Sequence, residues 1–177
     1  MKGICKMNYV GLDIDGVLCD WHSLIEGLFK PNDVSTKYFW KNLGRFADIQ
    51  DILTNPVYYK NAPPCENAYE LIKFLNDNNI SYFISTNRAE SLVGVTVSWL
   101  RKYLNISPKT IVYFDKNDYP LNAEFVIYIE DRVDYIPTLL ELNFFVLLLN
   151  KVWNEDFSYP NRVSNLIEAR DFIINNL

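Results

Sequence analysis

The sequence predicts an α/β fold: a three-layer, doubly wound, mostly parallel sheet with a small helical cap inserted after its first strand. Three observations predict it. Short hydrophobic runs without consistent polar alternation recur along the chain, the pattern of strands covered on both faces. Segments with apolar residues at helical spacing separate these runs, and strands alternating with helices build parallel sheets. One interval, residues 18–62, breaks the alternation, with no good strand but a dense aromatic population.

The strand-like runs lie at 9–14, 81–85, 110–114, 125–129 and 144–149. A helix over 66–78 follows the start signal Pro63-Pro64 and carries Ala68, Tyr69, Leu71, Ile72 and Leu75 at helical spacing. A second, over 90–104, aligns Val93, Val97, Leu100 and Leu104 on one face, and a third covers 135–142. The last helix is expected to follow Ser164 as its N-cap and to run through Leu166, Ala169, Phe172 and Ile173. Amphipathic helices over 19–29 and 35–54 are expected in the interval containing Trp21, Phe29, Tyr38, Phe39, Trp40, Phe46, Tyr58 and Tyr59. The chain thus divides into a core (1–18 and 63–177) and an insert (19–62), placed to fold over whatever the first strand carries.

Composition narrows the function. A chain of 177 residues, 49% hydrophobic and 15% aromatic, is long enough for a substantial core and too apolar for disorder. The net charge of -5 and the lack of a dense basic stretch argue against a large nucleic-acid partner. An anionic small molecule fits if a metal and a few local cations offset that charge. The longest apolar run, 144–149, is too short to span a membrane, and the N-terminus lacks the apolar centre of a signal peptide, so a cytoplasmic setting is expected. Cys5, Cys19 and Cys65 suit neither a disulfide framework nor a zinc site and are read as free thiols.

Several chemistries drop out. His22 is the only histidine, which excludes multi-histidine metal sites and a histidine-phosphatase pair. A cysteine phosphatase needs Arg six positions after its Cys, and those positions hold Gly11, Ile25 and Leu71. Neither a Walker A loop nor a Gly-x-Gly-x-x-Gly fingerprint is present. Phosphate chemistry here would have to run on carboxylates.

Two aspartates, Asp13 and Asp15, close the first strand-like run. Strand alternation places both on one side, at the carboxyl end where open α/β sheets bind ligands. A turn rich in Asp and Gly would explain the pair by itself. Other strand ends change the balance: the second run leads into Ser85-Thr86-Asn87-Arg88, the third into Asp115-Lys116 and the fourth into Glu130-Asp131-Arg132. Parallel strands bring these groups to one edge. Carboxylates gathered there repel one another and lose hydration, which a hard divalent cation such as Mg²⁺ offsets.

In this order the motifs resemble those of the haloacid dehalogenase (HAD) superfamily of phosphotransferases. Asp13-Ile14-Asp15-Gly16-Val17-Leu18 is similar to its first motif, Thr86 to its second, Lys116 to its third and Glu130-Asp131 to its acidic fourth. The resemblance implies that Asp13 is the nucleophile, forming an aspartyl-phosphate, and that Asp15 protonates the leaving oxygen and then activates water. Like-charged neighbours and partial burial are expected to fit Asp15 for that acid role. Thr86 would hydrogen-bond the phosphoryl oxygens, Lys116 would neutralise them, and Mg²⁺ would be held by Asp13, the backbone carbonyl of Asp15, and Asp131. Aligned on the acidic pair, Asp131 is the ligand and Glu130 its neighbour; aligned on the spaced form, Glu130 and Asp134 are the pair. Lys102 and Lys109 also lie between the second and fourth motifs, but Lys116 stands just past a strand end.

Within the superfamily the chain most resembles the 5′(3′)-deoxyribonucleotidase branch, through Asp-x-Asp-Gly-Val-Leu, the early helical insert, Thr86-Asn87-Arg88, the acidic pair before Arg132, and Tyr159-Pro160-Asn161-Arg162. That branch implies base recognition by cap aromatics, here Phe39 and Trp40 with Trp21 next, worth about 1–3 kcal/mol by stacking. The same residues could equally hold the cap's own core together. Asn87 and Arg88 are candidates for substrate contact, and Arg88 could equally form an ion pair. The expected partner is a small phosphorylated molecule, and the protein a monomer or homodimer. Alternatives are a phosphatase for sugar phosphates or other small phosphomonoesters, a polynucleotide 3′-phosphatase disfavoured by the acidic charge, and a non-catalytic binding or regulatory protein on the same fold. A dehalogenase does not need the second aspartate.

Overall fold

Strand β1 (Met7–Leu12) sits in the middle of a parallel sheet, and everything that matters for the site hangs on its neighbours. The computed structural model describes residues 7–26, 53–107, 109–115, 119–120 and 123–177. The sheet has six strands in the order β3-β2-β1-β4-β5-β6, with β2 at Tyr82–Ser85, β3 at Ile111–Tyr113, β4 at Ala123–Glu130, β5 at Phe145–Leu149 and β6 at Arg162–Val163. Every pairing is parallel. The strand order reverses between β1 and β4, the switch point at which such sheets open a crevice at their carboxyl ends. Leu12 lies opposite Ile84 on one side and Ile129 on the other, so the residues that follow β1 and β4 emerge at one height.

Side-chain alternation sorts the strands onto two cores. Val10, Leu12, Ile84, Ile127, Ile129, Leu147 and Leu149 face one apolar cluster, which α3 (Ala68–Asp77), α4 (Val93–Leu104) and α6 (Leu166–Asn176) cover. Phe83, Val126, Tyr128, Val146 and Leu148 face the other, with Ile136 and Leu139 of α5 (Ile136–Glu141) packed on them. Both faces of the central strands are therefore buried, as their unbroken apolar runs predict. Three layers result: helices, sheet, helix.

Local chemistry moved several element ends. β1 stops at Leu12, so Asp13 and Asp15 lie in a loop rather than on the strand, and strand alternation does not explain their shared location. The loop is closed instead by backbone bonds from Leu18 and Cys19 to the Ile14 carbonyl (2.8 and 2.7 Å) and from Gly16 to the Cys19 carbonyl (2.9 Å). Helix α3 starts at Ala68 rather than Glu66, because Pro63 and Cys65 pair with the chain leaving β1. The N-cap of α6 is Asn165 rather than Ser164; its side chain accepts the N–H groups of Ile167 and Glu168. Strand β6, two residues long, is too short to show a periodic signal.

The insert leaves and rejoins the core through adjacent backbone. Asp20 N–H donates to the Pro63 carbonyl and Cys65 N–H to the Leu18 carbonyl (2.8 Å each), and Cys19 bridges to Pro64. Its described parts are α1 (Trp21–Glu26), Leu53–Thr54 in helical conformation, and α2 (Pro56–Asn61), which is capped by the Asn55 side chain. The remainder, including most of the expected helix over 35–54 and both Phe39 and Trp40, lies outside the described residues. Cys19 and Cys65 are free thiols. Among the described residues no helix is long and apolar enough to cross a membrane.

Candidate active site

Three carboxylates meet where β1 and β4 end. Asp13 follows β1, Glu130 closes β4 and Asp131 follows it; all three are buried, and one oxygen from each lies within 4.8 Å of the others. The register produces this directly: Asp13 N–H donates to the Ile129 carbonyl, which places Asp13 beside Glu130. Glu130 Oε1 accepts the backbone N–H groups of Asp131 and Arg132 (3.1 Å each), folding the chain tightly past β4. Asp131 Oδ2 accepts the Trp153 indole N–H at 2.9 Å. Asn154 Nδ2 donates to the Asp131 carbonyl and to the Leu149 carbonyl (2.8 Å each). Arg162 then grips Asn154 Oδ1 at 2.6 Å and the Phe157 carbonyl at 2.7 Å.

Gly16 belongs to the same construction. It sits at φ +88, and a Cβ there would come within 2.2 Å of Asp131 Oδ2, so both its backbone conformation and its lack of a side chain are required. The donor set suits a hard cation: oxygen ligands, close together, with neither thiol nor imidazole among them. Asp13, Asp131 and Glu130 therefore fit Mg²⁺.

Asp15 is treated differently. Instead of like-charged surroundings it has a guanidinium: Arg88 Nε donates to Oδ2 at 2.9 Å and Nη2 to Oδ1 at 2.5 Å, a bidentate pair. The Arg88 side chain is 1% exposed and that of Asp15 19%. Arg88 Nη1 donates to Thr96 Oγ1 of α4 at 3.2 Å, and the guanidinium lies 4.5 Å from the Tyr59 ring centroid. Burial by itself would loosen the Arg88 proton, but the charge and hydrogen bonds of Asp15 outweigh it and hold the guanidinium well above its ordinary value. Arg88 is thus an internal partner of Asp15 and not a surface ion pair.

A cavity of about 250 Å³ opens in front of these groups. Asp13, Asp15, Thr86 and Arg88 line it on the side of the strand ends. Thr86 is fixed by its N–H to the Tyr113 carbonyl (3.0 Å), while its hydroxyl accepts the Arg88 N–H (3.3 Å). Asn87, Ala89, Arg132 and Tyr135 make one wall, in which the Asn87 amide meets the Tyr135 hydroxyl and Arg132 lies over the Tyr135 ring. Arg132 also forms an ion pair with Asp134, so Asp134 is turned outward rather than toward Glu130. Trp21, Leu53, Thr54 and Tyr59 make the wall on the insert side, with Trp21 stacked parallel on Tyr59. Burial, then the charge of Asp15, pushes the Tyr59 hydroxyl far up and keeps it a neutral phenol.

The structure brings Asp13, Asp15, Thr86, Asn87, Arg88 and Trp21 around one cavity, and Glu130 and Asp131 beside Asp13. Lys116, Phe39 and Trp40 lie outside the described residues. Trp153, Asn154, Tyr59 and Tyr135 join the site, beyond the residues the motifs mark. Trp153-Asn154 follows the end of β5, so the strand-end rule that found the others reaches it as well. Tyr59 arrives from the insert, where periodicity gives no position.

No protein-family model matches the chain, and no curated protein matches it. Solved structures do. A HAD-superfamily hydrolase from Ehrlichia chaffeensis is 15% identical, with 96% of this chain and 97% of that one covered and a TM-score of 0.55. A magnesium-bound HAD hydrolase of Bacillus subtilis, YfnB, is 14% identical over 96% of this chain and 99% of that one, with a TM-score of 0.63. The L-2-haloacid dehalogenase of Xanthobacter autotrophicus with chloropropionic acid covalently bound is 11% identical over 97% and 100%, with a TM-score of 0.61. At these identities the likeness is one of architecture, and the chain has the α/β fold of HAD hydrolases.

Proposed function

We propose that this protein is a Mg²⁺-dependent phosphomonoesterase of the HAD superfamily that works through an aspartyl-phosphate, with nucleoside monophosphates as substrates in the manner of a 5′(3′)-deoxyribonucleotidase. The observation that carries the reading is the convergence of Asp13, Asp15, Thr86 and the buried acidic group Glu130–Asp131 at one edge of the sheet. A haloacid dehalogenase does not need the second aspartate, and the three gathered acids raise the cost of burial unless a cation joins them.

In the proposed reaction Asp13 attacks phosphorus, and the bond from phosphorus to the leaving oxygen breaks as Asp15, which enters protonated and is left as the carboxylate that Arg88 pairs, delivers its proton to that oxygen. Asp15 then takes a proton from water, which attacks the same phosphorus; the bond to Asp13 breaks and phosphate leaves. Covalent catalysis divides one difficult displacement into two easier ones. Thr86 offers its hydroxyl, and by resemblance Lys116 its ammonium, to the equatorial phosphoryl oxygens. When bound by Asp13, the backbone carbonyl of Asp15 and Asp131, with Glu130 beside them, Mg²⁺ would supply positive charge that offsets the repulsion between a carboxylate and a phosphate dianion. The insert, 19–62, is the proposed cap, and Phe39 and Trp40 the proposed base platform.

Two measurements test this. Wild-type protein with Mg²⁺ should hydrolyse 4-nitrophenyl phosphate and lose that activity with chelator, and Asp13→Asn should lower kcat by at least about 10³-fold. No turnover in the presence of metal sinks the catalytic reading. A panel of 5′- and 3′-nucleotides set against sugar phosphates then addresses the substrate, and indifference to the base withdraws the nucleotidase assignment in favour of a general small-molecule phosphatase.

A further inference from the structure

The Arg88 side chain is almost fully enclosed at the edge of the cavity. Three of its N–H groups have partners: Nε and Nη2 on Asp15, Nη1 on Thr96. The Tyr59 ring covers its guanidinium at 4.5 Å. Arg88 borders the cavity, yet these three donors are turned to Asp15 and Thr96 rather than to a ligand. Each Asp15 oxygen, in contrast, uses one acceptor position on Arg88 and keeps a second. The guanidinium is planar and its two bonds are parallel, so the pair fixes the Asp15 carboxyl plane as well as its distance. Thr96 on α4 and Tyr59 on α2 lock Arg88 in turn from the core and from the insert.

We infer that Arg88 is a positioning residue, which orients the Asp15 carboxyl for proton transfer to the leaving oxygen and does not itself bind the phosphoryl group. The inference rests on the phosphomonoesterase reading. It has a signature that a purely structural role lacks. Proton donation matters in proportion to how poor the leaving group is. A nitrophenolate departs with little help, whereas a methoxyphenolate or an alkoxide needs its proton. Loss of Asp15 alignment should therefore penalise poor leaving groups selectively.

The experiment is a series of substituted phenyl phosphates, from 4-nitro to 4-methoxy, turned over by wild type, Arg88→Lys, Arg88→Met and Asp15→Asn. The expected result for Arg88→Met is a fall in kcat of about 10²-fold on the methoxy ester and under about 10-fold on the nitro ester, with KM little changed. Arg88→Lys, which keeps the charge but not the fork, should fall between. The ratio of the two rates is internal to one sample, so a partly unfolded preparation does not distort it. In Asp15→Asn/Arg88→Met, whose fold carries no unpartnered guanidinium, turnover should match that of Asp15→Asn alone. Equal losses across the series, or a rise in KM at constant kcat, overturn the inference while leaving the phosphatase reading intact. Wild-type protein inert toward every ester overturns both.

Discussion

Two groups of acid share the carboxyl edge of this sheet and are handled in opposite ways. On the β4 side, Asp13, Glu130 and Asp131 are drawn together until an oxygen of each falls within 4.8 Å of the others. On the β2 side, Asp15 stands against a guanidinium supplied by the same chain. The first arrangement concentrates like charge in a buried place, and its stability is open to any hard cation in solution. The second carries its neutralising charge within the fold. Aspartates two residues apart in sequence thus end in unlike electrostatic worlds, because Asp13 is tied to the end of β4 through Ile129 while Asp15 meets Arg88 from the segment after β2.

The largest effect that separates the two sides is on stability without metal. Asp15→Asn leaves Arg88 buried with its strongest partner gone, a change expected to cost about 3 kcal/mol, the lower end for buried pairs because Asp15 keeps some exposure. For a chain of this size that is a fall in Tm of roughly 6–12 °C. Asp131→Asn removes one of three gathered charges and should hold or raise Tm in metal-free buffer. Thermal melts with chelator present test the contrast, and equal losses in both variants would abolish it.

A smaller effect probes the metal side by itself. Trp153 fixes Asp131 through its indole N–H, and groups that orient metal ligands are worth about 10–100-fold in affinity. Trp153→Phe should weaken Mg²⁺ binding by that factor in calorimetry while leaving the pairing of Asp15 with Arg88, and hence the metal-free Tm, little altered. Unchanged affinity would mean that Asp131 is held well enough by its backbone, through Asn154.

How much of this was legible in the sequence follows the same division. The strands, their parallel order and the meeting of Asp13, Thr86 and Asp131 could be read, because unbroken apolar runs fix which segments are buried and parallel strands put their ends on one edge. The partner of Asp15 could not. Arg88 was visible as a cation near the site, but whether it reaches outward or inward depends on Thr96 and Tyr59, which come from two other elements and enter only through tertiary packing. The same holds for Trp153, whose bond to Asp131 spans 22 residues of sequence and leaves no periodic trace. End positions such as the start of α3 escaped because the residues after Pro64 pair with the root of the insert before the helix begins.

The smallest effect concerns His22, which stacks on Trp153 at 3.6 Å between ring centroids and so stands behind the metal side. Burial pulls its pKa down from 6.5 to about 4, with Lys151 adding to the fall and Asp20 and Asp15 opposing it. The sign follows from which state takes up the proton first. As pH drops below about 6.5 the unfolded chain protonates at this position while the folded chain resists, so folding stability is undiminished above that range and declines toward pH 4. The loss should be ~1 kcal/mol by pH 5.5. His22→Phe keeps the stack and removes the proton site. The difference between the two proteins in urea melts from pH 7.5 to pH 5 isolates this contribution from that of the carboxylates. If the difference is flat, His22 protonates as easily in the fold as out of it, and the support behind Asp131 is more open to water than its burial implies.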